Sequence, residues 1–187
     1  MSDTSSRLGF VREAERLKSV VRSGHTSTGR SESTAEHSWR LCLLAMVFED
    51  RLGPLDFTKL LKMCVLHDLG EALHGDVPAV LQEQGDGKSD RERRDLLTLM
   101  GSLPVPLRDQ FLSLWDEYEQ AGSPEAKAAK ALDKIETILQ HNQGANPPDF
   151  DYAFNLQYGR AYTDAAPLFQ EIRALIDADT ASKAGLA

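Results

Sequence analysis

A chain of 187 residues, 41% of them hydrophobic, is long enough to bury a sizeable core as one domain. Its 21 Lys and Arg against 29 Asp and Glu give a formal charge of −8, which argues against a nucleic-acid polymer as partner but leaves room for a small anion held by local cations. No run reaches about 18 uninterrupted apolar residues, and the opening MSDTSSRLGF has no basic region followed by a long apolar one; no membrane partner and a cytoplasmic location are expected.

Leu8, Val11, Ala14, Leu17, Val20 and Val21 recur every three or four residues, which predicts a first helix to about Val21 with Arg22 at its end. The stretch SGHTSTGRSES has no hydrophobic period and is predicted as a loop carrying His25, Arg30 and Glu32, the last two paired with each other. Ser33 and Glu36 have capping-box spacing, opening a second helix near Thr34 that runs to about Arg51. His37 shares a face of it with Leu41, Leu44 and Phe48, and so points toward the core.

Gly53 and Pro54 break the chain, and Asp56 is placed to cap a helix from about Phe57 to Leu73, with Leu60, Leu61, Cys64 and Val65 on its apolar face. On that helix His67, Glu71 and His74 would form one stripe, with Asp68 about 100 degrees to the side. Burying His67 and Asp68 there is costly unless each is paired or bound to a metal. GDVP, ending at Pro78, reads as a turn. A polar loop, QEQGDGKSD, leads to the charge cluster Asp90 to Asp95, expected to be a solvated helix face.

After Pro104 and Pro106 comes an amphipathic helix bearing Leu107, Phe111, Leu114, Trp115 and Tyr118, the last two expected in the core. Ser123 and Pro124 open another, with an apolar stripe of Ala128, Leu132, Ile135 and Leu139 and with Asp133 at the stripe's edge. GANPPD is a loop or lid, Phe150 to Tyr162 a further helix, and Leu168, Ile172, Leu175 and Ile176 mark a last one after Pro167. No period-2 strand pattern appears. The expected fold is all-α: one domain of about six or seven helices, with a core over about 17–141 and a helical extension over about 150–178. Cys42 and Cys64 lack CxxC spacing and are expected as reduced core residues.

Three helices thus offer inward polar groups: His37, the pair His67 and Asp68, and Asp133. Two imidazoles and two carboxylates suit a divalent transition metal with positions left for water or substrate. No cysteine joins the set, which disfavours a closed structural zinc site. H-E-x-x-H is absent, and Glu71 with His74 makes only one of the two E-x-x-H units of a di-iron bundle.

The order His37, His67-Asp68, Asp133 resembles the H…HD…D signature of the HD-domain metal-dependent phosphohydrolases. The surrounding RSESTAEH, HDLGE, GDVP, WDEYE and ALDK, between Leu17 and His141, resemble the 5′-deoxynucleotidase branch of that superfamily. The resemblance implies an HD-domain helical bundle in which His37, His67, Asp68 and Asp133 hold a divalent ion such as Co²⁺ or Mn²⁺. It implies hydrolysis of a (deoxy)nucleoside 5′-monophosphate to nucleoside and phosphate by metal-activated water, and a homodimer. By the same resemblance Glu71 passes protons between water and the leaving oxygen, Asp76 faces sugar and phosphate, and Arg22 contacts the phosphate. The family's tryptophan after that arginine is absent here, where Ser23, Gly24 and His25 follow. His74 reads as a core histidine exposed at a helix end. The alternatives are an HD-type hydrolase of a cyclic nucleotide or nucleoside triphosphate, and a non-catalytic nucleotide-binding module stabilised by metal.

Overall fold

The computed structural model describes residues 2–78 and 87–186; most of the predicted QEQGDGKSD loop lies outside them. Among the described residues seven helices run ten residues or longer: α1 Asp3–Ala14, α2 Thr34–Val47, α3 Phe57–Leu66, α5 Lys88–Leu99, α6 Val105–Gln120, α7 Pro124–Gln143 and α9 Pro167–Lys183. Two single turns, α4 Glu71–His74 and α8 Arg160–Thr163, complete the α-helical set. The all-α expectation holds. None of these helices is long and apolar enough to cross a membrane.

Helix starts follow local chemistry. Ser33 Oγ accepts the Glu36 N–H at 3.2 Å while Glu36 Oε2 accepts the Ser33 N–H at 2.9 Å, the reciprocal capping box that opens α2. Asp56 caps α3 through the Lys59 N–H at 3.0 Å, and Ser123 caps α7 through the Ala126 N–H at 3.1 Å, with Pro124 at the first helical position. Helix α7 is the centre of the fold and packs against α2, α3, α6, α8 and α9. From Ala128 to Ile138 only Lys134 is less than fully buried, so Asp133 lies inside the core rather than at the edge of one apolar stripe.

Four expectations are corrected. First, the helix predicted to reach Val21 ends at Ala14 in a 3₁₀ turn, Glu15–Ser19, and residues Val21–His25 form a strand, β1, antiparallel to β2, Ser31–Ser33. The predicted loop is therefore a hairpin, closed by Thr26 N–H to Arg30 O at 2.7 Å and Gly29 at φ +85°. Strands this short, joined by backbone bonds, leave no alternating side-chain pattern to detect. Arg30 bonds Glu36 at 2.7 Å, not Glu32.

Second, the helix predicted from Phe57 to Leu73 ends at Leu66, and His67 to Gly70 form a tight turn before α4. The His67 carbonyl accepts the Trp115 indole N–H at 2.9 Å, while the Glu71 N–H turns to Asp68 O at 3.0 Å. The i→i−4 ladder is thereby replaced by i→i−3 bonds. Third, Phe150 to Tyr162 is not one helix: a 3₁₀ turn, Ala153–Leu156, and α8 flank Gly159, which sits at φ +72°. Fourth, Leu8, Val11, Val65 and Leu175, placed on apolar faces by periodicity, are exposed, whereas Asp95 in the supposedly solvated cluster is buried.

The turn at His67 depends on Gly70. A Cβ there would stand 2.5 Å from the Glu92 carbonyl oxygen of α5, so Gly70→Ala must push two backbones apart. We expect this variant to lose about 1–3 kcal/mol in urea unfolding; an unchanged midpoint would show that α5 yields freely.

Candidate metal centre

Helix α2 delivers His37, the turn after α3 delivers His67 and Asp68, and α7 delivers Asp133. His37 Nε2 stands 3.1 Å from Asp133 Oδ1 and 3.8 Å from Asp68 Oδ2. His67 Nε2 stands 3.0 Å from Asp68 Oδ2 and 4.0 Å from Asp133 Oδ1. Ligand atoms of His37, His67 and Asp133 all lie within 4.8 Å of one another. All four candidate ligands are brought together, although Asp68 Oδ2 also takes the Arg22 guanidinium at 3.3 Å.

The other ring nitrogens orient both histidines. His67 Nδ1 lies 3.0 Å from the Cys64 carbonyl, which can only accept, so Nδ1 carries the proton. His37 Nδ1 is bonded in the same way to the buried Glu136 carboxylate. Both Nε2 atoms are buried and lack a hydrogen-bond partner, and each faces the carboxylates. Imidazole tautomers fixed from behind, with two carboxylate oxygens in front, form a donor set that fits a divalent transition metal.

The cluster draws positive charge strongly. Burial and Arg22 oppose protonation of His37, yet Glu136 and Asp133 push it up to about 10. Burial also disfavours ionised Asp68, but His67 and Arg22 hold it below the usual carboxylate range. Arg22, expected at a helix end, projects from β1 and donates to Thr137 Oγ1 at 3.1 Å, with Glu32 3.6 Å away. Glu71 is 2% exposed, accepts from Thr34 Oγ1 at 3.3 Å and has Lys88 at 3.7 Å. Burial, reinforced by Asp68 and Asp76, pushes its carboxyl up to about 9.

A cleft of about 770 Å³ opens on this cluster. Arg22, Glu71, Asp76, Asp68 and Asp133 line it together with aromatic side chains of the C-terminal segment, among them Phe150, Phe154, Tyr158 and Tyr162. His74 is turned away and bonds Asp95 at 2.6 Å, as expected of a histidine exposed at a helix end. His25 joins the hairpin to α7 by accepting from Gln140 Nε2 at 2.7 Å through its carbonyl. Periodicity gave no site role to Glu136, Lys134 or Tyr118. Glu136 follows Asp133 by three residues, the spacing that puts two carboxylates on one helix face, and this was the available signal.

Comparison with known proteins agrees with this arrangement. The family described as HD domain matches residues 14–173. The human protein named 5′-deoxynucleotidase HDDC2 is 34% identical over 140 residues, 74% of this chain and 68% of its own length. Its Dictyostelium discoideum namesake is 27% identical over 190 residues, covering 94% of this chain and 98% of itself. A crystal structure described as a "Predicted metal-dependent phosphohydrolase", from Magnetospirillum magnetotacticum, superposes with a TM-score of 0.79 at 26% identity, covering 100% of this chain and 98% of that one.

Glu71 provides a pH test. Its folded value of about 9 exceeds the ordinary 4.5, so the folded state retains a proton that the unfolded state loses; stability is fully present below about pH 4.5 and declines as pH rises toward 9. In EDTA, Glu71→Gln should flatten this decline and raise the thermal midpoint at pH 8 more than at pH 5. An equal effect at both pH values would mean that Glu71 is charged in the fold.

Proposed function

The chain belongs to the HD-domain family, and we propose that it is a metal-dependent phosphomonoesterase hydrolysing deoxynucleoside 5′-monophosphates to nucleoside and phosphate. The observation that carries this reading is the pair of buried, unpartnered Nε2 atoms of His37 and His67 facing Asp68 and Asp133 beside an open cleft. The names of the human and Dictyostelium relatives support the substrate class. A divalent ion held by these four residues, Co²⁺ or Mn²⁺ or similar, supplies Lewis-acid activation of water and neutralisation of phosphate charge.

Placement supports the remaining roles. Arg22 offers a forked guanidinium at the mouth of the cluster, suited to two phosphate oxygens. Glu71, buried beside the cluster on the cleft wall, passes a proton to the leaving ribose oxygen. Asp76 lines the same cleft on the turn after α4, which supports a role toward sugar and phosphate. The wall of Phe150, Phe154, Tyr158 and Tyr162 gives the nucleoside apolar surface. With Ser23 and Gly24 after Arg22, Gly24 packs under the His141 ring, so comparing dAMP with AMP tests sugar selectivity directly.

We also propose a homodimer built on α2, where Trp39, Leu43, Met46 and Val47 lie at helical spacing and are exposed. Such an exposed apolar stripe can meet its own copy across a two-fold axis. Sedimentation should give twice the chain mass, and Leu43→Glu should give the monomer; a monomeric wild type rejects the pairing.

Purified protein with Co²⁺ or Mn²⁺ should release phosphate from deoxynucleoside monophosphates. EDTA should abolish this, and Asp68→Ala should reduce kcat at least about a hundredfold. Folded, metal-loaded protein inactive across the monophosphate panel would overturn the assignment. Release of pyrophosphate or triphosphate would identify a triphosphate hydrolase, ring opening a cyclic-nucleotide one, and metal-dependent stability without turnover a binding module.

A further inference from the structure

Helix α6 carries two aromatic residues, Trp115 and Tyr118, that core packing alone does not explain. Each is buried, each has a polar hydrogen, and each spends it on a different part of the metal cluster. Trp115 Nε1 donates to the His67 carbonyl at 2.9 Å, and Tyr118 Oη donates to Asp133 Oδ2 at 3.0 Å. The Tyr118 ring lies against the His67 imidazole with centroids 5.1 Å apart. One turn of one helix therefore touches both the segment that supplies His67 and the helix that supplies Asp133.

Asp133 is held from a second side. Lys134 Nζ donates to the same oxygen, Oδ2, at 2.8 Å, so both donors converge on one oxygen. The other, Oδ1, faces His37 Nε2 at 3.1 Å. Lys134 cannot swing aside freely, because its stem passes over Gly159: a Cβ at position 159 would stand 2.6 Å from Lys134 Cβ and 2.5 Å from its Cγ. Gly159 also holds φ +72°, which favours glycine.

We propose that Tyr118 and Lys134 are positioning residues that commit Asp133 to bind the metal through Oδ1 alone. The inference rests on the metal centre proposed above and adds to it a way of binding and two residues with no assigned role. A carboxylate with one oxygen occupied by an ammonium and a phenol presents one lone-pair face to the ion, and the rotation that would make it bidentate must break two hydrogen bonds. Partners behind metal ligands typically change affinity by about 10–100-fold when removed. Tyr118→Phe keeps the ring on His67 and deletes only the hydroxyl; Lys134→Met keeps the stem over Gly159 and deletes only the ammonium.

The experiment titrates Co²⁺ into apo wild type, Tyr118→Phe and Lys134→Met, following the visible absorption of the bound ion, with thermal midpoints in EDTA measured alongside. Each variant should bind Co²⁺ about 10-fold or more weakly, and its metal-induced rise in midpoint should shrink, while in Tyr118→Phe the Michaelis constant for deoxynucleotide stays near that of the wild type. Wild-type affinity within twofold in both variants would overturn the inference and leave the metal centre standing. An affinity loss matched by an equal collapse of the EDTA midpoint would also overturn it, by assigning the two residues a purely structural role. Wild type that takes up no Co²⁺ would overturn the metal centre itself, and with it this inference.

Discussion

The structure depends on negative charge gathered where water cannot screen it. Asp68, Asp133, Glu136 and Glu32 lie around two imidazoles, and all but Asp68 are nearly inaccessible. Arg22 and Lys134 answer part of that charge, each through a short contact with a candidate ligand. Burying unmatched carboxylates is far more costly than any single packing defect in a core of this size. The architecture is therefore arranged to give the centre a cation, and α7, which supplies Asp133, Glu136 and the Thr137 hydroxyl, is the helix on which α2, α3, α6, α8 and α9 pack.

The next consequence is how the HD pair is aimed. In a continuous helix, His67 and Asp68 would project about 100 degrees apart. The indole of Trp115 captures the carbonyl that would have continued α3, and the chain tightens over His67 to Gly70. At this turn His67 Nε2 and Asp68 Oδ2 stand 3.0 Å apart. The apolar neighbours Leu60, Met63, Cys64 and Leu66 hold the preceding turn rigidly in the core, so the polar turn is a fixed extension of a packed helix.

Much of this was legible in the amino-acid order, for identifiable reasons. Ser33, Asp56 and Ser123 mark helix starts because capping is local, settled within three residues. His37 and the His67-Asp68 pair stand out because charge in an apolar run needs an explanation. What stayed hidden depends on distant residues: the break after Leu66 is caused by an indole 48 residues later, and the hairpin is made by backbone groups that every residue carries. Tyr118 read as core and is core, at 4% exposure; its hydroxyl's destination depended on where α7 passes. Periodicity also placed Val65 and Leu175 inward, though both are exposed, because a moderately apolar face need not have a neighbour.

The late position of α7 in the chain has a consequence for biosynthesis. The helix that the others surround spans Pro124–Gln143, so α1 to α6 leave the ribosome before the element that covers their inner faces exists. The bond between His37 and Glu136 joins residues 99 apart, and that between Arg22 and Thr137 residues 115 apart. Contacts of such span close last, because loop closure must precede them. The nascent chain thus exposes apolar helix faces to chaperones through most of its translation, and the metal-binding geometry can form only after the core has closed around α7.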